Sequence, residues 1–93
     1  MMVGVCEIHL HLPEVTSLKG KRKVIKGIKD RIRHRFNVSI SELDAHDKWQ
    51  RAVLGVAYIN RERSVIDQVL HNVVGIIEST PTVLITDCFI DFV

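Results

Sequence analysis

Two β-α-β units follow one another within 93 residues, and each places an amphipathic helix between short alternating or apolar strands. These observations predict an α+β fold, the ferredoxin-like βαββαβ plait: one four-stranded antiparallel sheet with two helices on one face. Right-handed crossovers then set the first and third strands in the centre. A chain this short holds one hydrophobic core, so residues 1–93 are expected to form a single domain.

The elements are read in order. Met2 to Leu12 sets Met2, Cys6, Ile8, Leu10 and Leu12 on one alternation and Val3, Val5, Glu7, His9 and His11 on the other. That is a strand pattern, and Pro13 ends it. Thr16 or Ser17 supplies the N-cap of a first helix, whose Leu18, Ile25, Ile28, Ile32 and Phe36 recur at helical spacing. Asn37 is the expected helix terminator. Val38 to Leu43 reads as a second strand, Asp44 to Lys48 as a polar turn, and Trp49 to Ile59 as a third, continuously apolar strand. Asn60 is expected to start the second helix, with Val65, Ile66, Val69, Leu70, Val73, Val74, Ile76 and Ile77 as its apolar side. Thr82 to Val93 makes the fourth strand, with Leu84, Thr86, Cys88, Ile90 and Phe92 alternating against Val83, Ile85, Asp87, Phe89 and Asp91.

Composition sets the class. Hydrophobic residues at 46% and charged residues at 26% exclude a disordered chain and a disulfide-stapled miniprotein. No apolar run approaches the ~20 residues that span a bilayer, and no export signal is read at the N-terminus. A cytoplasmic protein without membrane contact is the expectation. Cys6 and Cys88 fall on core-facing alternations of adjacent strands and, without a Cys-x-x-Cys motif, read as buried thiols.

The formal net charge of +2 averages two unlike regions. Between Ser17 and Phe36 stand nine bases and one acid, net +8, against four bases and ten acids, net −6, elsewhere. Lys19, Lys21, Arg22 and Lys23 crowd the first turns of the helix, where each cation typically costs ~0.3–1 kcal/mol against the helix dipole. Gly20 and Gly27 weaken the same helix. Such conflict between local preference and charge marks a candidate site, and free amides beside cations suit a phosphate. Lys19, Lys21, Arg22 and Lys23 are therefore the candidate phosphate-binding residues, with Lys26, Lys29 and Arg33 extending the track. A solvated cationic face chosen for solubility is the competing reading. RNA-recognition domains of this topology stack bases on aromatics of the first and third strands. Here those strands lack the aromatic pair, so backbone contacts are expected to dominate.

Other constellations read as structural. Glu42, Asp44, His46 and Asp47 match neither a calcium loop nor a zinc helix, and the turn is taken as solvated or as facing the basic helix of a second copy. His9 and His11 share a face with Asp87 and Asp91, a cluster weighed as a metal or pH-sensitive group against plain polar residues on an open sheet. No metal site and no cofactor are assigned. No nucleophile elbow or glycine-rich phosphate loop occurs, so an enzyme is not expected. The open sheet face is expected to carry Val3, Val5, Val83, Ile85, Phe89, Val53, Ala57 and Ile59, an apolar area suited to homo-oligomer formation.

The segments Thr16-Ser17-Leu18-Lys19-Gly20-Lys21-Arg22, Phe36-Asn37-Val38-Ser39-Ile40-Ser41-Glu42-Leu43-Asp44 and Asp47-Lys48-Trp49-Gln50-Arg51, with Gly55, resemble the bacterial YlxP-like proteins in order and spacing along the whole chain. The resemblance implies a ferredoxin-like fold and a cytoplasmic bacterial protein. It also implies genes neighbouring those for translation initiation and ribosome maturation, and it carries over no catalytic residue. The leading reading is a non-enzymatic binding protein that contacts RNA or a ribosomal particle through the first helix. The alternative is an oligomeric small-ligand or metal-binding domain using His9, His11, Glu42 or Asp44.

Overall fold

The computed structural model describes residues 1–44 and 48–93. Strand β1 (Met2–His11) leads into helix α1 (Leu18–Arg35), then β2 (Ser39–Asp44), β3 (Arg51–Asn60), helix α2 (Arg63–Glu78) and β4 (Leu84–Phe92). The strands form one sheet in the order β2-β3-β1-β4, and every neighbouring pair is antiparallel. This is the ferredoxin-like α+β plait, with β1 and β3 central. No helix among the described residues is long and apolar enough to cross a membrane.

The period-2 pattern of β1 sends Cys6, Ile8 and Leu10 to the core, where their partners across β3 are Val56, Leu54 and Ala52. Ile25, Ile28 and Ile32 of α1 and Ile66, Leu70, Val73 and Ile77 of α2 close over them. Each such side chain contributes ~1.5–3 kcal/mol on burial. At Gly4 the strand lies so close to α2 that a Cβ would collide with Ile66 Cγ2 and press on Leu70 Cδ1. Ile66 is β-branched and stiff, so a Gly4→Ala change forces strand and helix apart at a cost of ~1–3 kcal/mol. Thermal unfolding is expected to show the midpoint falling by at least ~4 °C.

The boundaries differ from expectation for local reasons. Ser17, in extended backbone, is the N-cap of α1, and its Oγ accepts from the Gly20 amide at 3.0 Å. The same helix ends through Phe36, also extended, in place of Asn37. Asn60 closes β3 instead of starting α2: its Oδ1 accepts from the Glu62 amide at 2.9 Å, and Glu62 becomes the cap residue. Trp49 lies before β3, which begins at Arg51.

Strand β4 corrects the sequence reading of its faces. Its register slips between His9 and Leu10, whose partners are Asp87 and Ile85, so Thr86 is an extra residue. One inserted residue reverses the faces of everything before it. Val83 and Ile85, expected on the open face, therefore turn to the core, and Leu84, expected inside, is exposed. Val53 also adds nothing to the exposed apolar area, being only 3% accessible.

A candidate nucleic-acid interface at the start of α1

Parts of the segments that carried the resemblance come together at one end of the molecule, where Lys21 of α1 reaches Glu42 of β2 and the Lys48 carbonyl. The β1–α1 connection and the approach to β3 are joined there by hydrogen bonds centred on Gln50. The Leu12 amide donates to the Gln50 carbonyl at 2.9 Å, and Gln50 Nε2 donates to the Pro13 and Val15 carbonyls at 3.1 and 3.2 Å. His11 Nδ1 lies 3.1 Å from the Gln50 carbonyl, which can only accept, so this nitrogen carries the proton.

Lys21 departs from its expected role. Far from lying open to a phosphate, its side chain is only 2% accessible and its Nζ pairs with Glu42 Oε2 at 2.9 Å. The same Nζ donates to the Lys48 carbonyl at 2.8 Å. The reason is helical spacing: Lys21 stands three residues after Leu18 and four before Ile25, on the buried stripe. That signal was present in the sequence, and the charge of the residue masked it. Glu42 in turn shares its sheet face with the core residue Leu54, its register partner. Glu42 thus meets the basic helix within one chain. His46 and Asp47 lie outside the described residues.

The remaining cations separate into two groups. Lys19, Arg22 and Lys23 are exposed and, with Ser17, Gly20 and Lys26, line an open concavity of about 580 Å³. The first turn of α1 contains no acid. Farther along, Lys26 pairs with Asp30 at 2.6 Å, and that hydrogen bond holds the Asp30 carboxyl below its usual range. Arg33 spends one donor on the Ile40 carbonyl at 2.9 Å, which leaves the rest of its guanidinium available. Arg22, Lys29 and Arg33 border a smaller concavity of about 370 Å³ that also includes Asp30 and Glu42.

Trp49, expected at the start of the third strand, lies outside it. It is 53% exposed and lines an open concavity of about 640 Å³ with His11, Lys48, Gln50 and Arg51.

The histidine and aspartate cluster does not assemble. His9 and Asp87 are register partners, but His9 Nε2 bonds Glu7 Oε2 at 2.8 Å. Asp87 and Asp91 each accept from the next backbone amide. Glu42 lies on the helix side of the sheet, opposite His9 and His11. Among the described residues no three His, Cys, Asp or Glu side chains group as metal ligands.

Cys6 and Cys88 are free thiols with sulfurs 3.7 Å apart. Burial, with the neighbouring Cys88 second, pushes the Cys6 thiol from the ordinary 9.0 up to about 12. Cys6 is therefore expected to resist alkylation at pH 8 in the native protein and to react on unfolding, as mass spectrometry of labelled peptides would show. The raised value also means that its stabilising contribution is complete below pH 9 and is lost as pH rises towards 12.

Comparison with known proteins identifies the family. Residues 3–90 match the family model described as a protein of unknown function, DUF503. The uncharacterized protein YlxP of Bacillus subtilis (strain 168) is 38% identical over 82 residues, covering 88% of this chain and 89% of that protein. With the family match running from β1 into β4 and this identity beside it, the chain belongs to the DUF503 family, the YlxP-like proteins.

Proposed function

We propose that this protein is a non-enzymatic, cytoplasmic RNA-contacting protein that holds backbone phosphates at the start of α1. Lys19, Arg22 and Lys23 make the contacts, and Lys29 and Arg33 extend them along the helix. The observation that carries this reading is the exposed trio around the open Ser17–Lys26 concavity, on a first turn with no acid to offset it. Lys21 contributes structurally, since its charge is taken up by Glu42. The test is a gel shift with single-stranded RNA across a salt series, joined to capture from bacterial lysate with and without nuclease. Binding that weakens steeply with salt and nuclease-sensitive capture of ribosomal components are the expected results. Salt-independent binding, or none, overturns the proposal.

A second reading, self-association through the open sheet face, is favoured by Ile59, Leu84 and Phe89, each more than half exposed there. Sedimentation at micromolar concentration tests it, and a monomer would end it.

A further inference from the structure

We propose that the concavity containing Trp49 stacks one unpaired nucleobase of the RNA strand whose phosphates lie on α1. This inference rests on the RNA reading above and names the part of the ligand that a phosphate track leaves unaddressed. Trp49 is the single tryptophan of the chain, and more than half its surface is open to water. A large aromatic side chain with this much open surface is available to a flat ligand. Every base has such a face, so a single indole recognises unpaired bases without regard to sequence.

The surroundings suit a nucleotide over an apolar ligand. Lys48 and Arg51 share the concavity with Trp49, and among the described residues no acid lines it. Positive charge beside an aromatic plane complements a base joined to its phosphate. His11 also lines it, with Nδ1 committed to the Gln50 carbonyl, so Nε2 is the nitrogen left for a polar edge. The volume, about 640 Å³, lies in the range of small-ligand sites.

The platform is also held in place from both sides. Gln50, next to Trp49, is fixed by three hydrogen bonds to the β1–α1 connection. Lys48, on the other side, has its carbonyl bound by the buried Lys21 ammonium. Fixing the backbone beforehand lowers the ordering cost of binding. Lys21 belongs to α1, between Lys19 and Arg22, so the segment carrying the indole and the phosphate-contacting helix turn are tied by one side chain. A strand crossing this end meets cations on α1 and an aromatic plane before β3. The lack of an aromatic pair on β1 and β3 is unaffected, because Trp49 lies off the strands.

The experiment uses the full chain at low salt, a short single-stranded uridylate oligomer and an abasic ribose-phosphate oligomer of equal length. Trp49 fluorescence is the direct readout, and anisotropy of end-labelled oligomers gives affinity. Uridylate is expected to quench Trp49, while the abasic oligomer binds without quenching. Trp49→Ala is expected to weaken uridylate binding about ten-fold, to leave abasic binding unchanged, and to be rescued by Trp49→Phe. An unchanged melting midpoint shows that the alanine variant is folded. Uridylate that binds without quenching, and equally well to Trp49→Ala, overturns the stacking site and leaves the phosphate reading standing. Failure of both oligomers to bind overturns the phosphate reading and the stacking site with it.

Discussion

Lys21→Met is expected to destabilise the protein by about 3 kcal/mol, a large share of the ~5–15 kcal/mol that holds a small domain together. Methionine keeps the apolar stem and removes the ammonium. Glu42, whose side chain is only 15% accessible, then loses the cation at 2.9 Å. Apart from that ion pair, Glu42 Oε2 meets no hydrogen-bond donor among the described residues. An unpaired carboxylate in this position is worse than no carboxylate, so Lys21→Met combined with Glu42→Leu should recover most of the loss. The Lys48 carbonyl stays without its donor in both variants, and hydrogen exchange near residues 48–50 should quicken in each. Urea unfolding of the wild type, the two single variants and the pair would measure the coupling. A single-variant loss below ~1 kcal/mol, or no recovery in the pair, would show that the ion pair is incidental.

Replacing Lys19, Arg22 and Lys23 together by alanine should have opposite effects on binding and on stability. If each contacts one phosphate of a single strand, the slope of log affinity against log salt falls by ~2 in magnitude. Affinity at low salt should drop by at least ~10-fold. The same variant should melt no lower than the wild type, because three cations leave the positive end of a helix and alanine favours helix. Lys26→Ala is the internal comparison: its ammonium already faces Asp30 at 2.6 Å, so its loss should alter binding less than loss of Lys23. A triple variant that binds RNA with an unchanged salt slope would move the contact elsewhere.

How far the sequence could be read depended on which signal was periodic. Cys6, Ile8 and Leu10 announced β1 by alternation, and Ile25, Ile28 and Ile32 announced the buried side of α1, so topology and strand order followed from pattern and handedness. Thr86 could not be read this way. A bulge is one residue with no compositional mark, yet it exchanged the faces of Leu84 and Ile85. Lys21 failed for a different reason: its position followed the apolar stripe while its chemistry suggested the surface, and the partner that resolves the conflict, Glu42, is on another element. Trp49 blended into the apolar stretch that follows it. Only the break before Arg51, held by Gln50, separates the indole from β3. The exposure of Lys19, Arg22 and Lys23 was legible because they stand off the apolar stripe of α1.

The extra residue Thr86 in β4 has a counterpart in β2, where the register shifts between Glu42 and Asp44 past Leu43, and together they bear on how copies of this protein behave at high concentration. Strands β2 and β4 are the outer strands of the sheet, and each loses its regular ladder once, at Leu43 and at Thr86. An unbroken outer strand is a template on which another molecule can continue the sheet, and an irregular, locally twisted one is a poor template. Fibre growth by strand addition is therefore opposed at both margins.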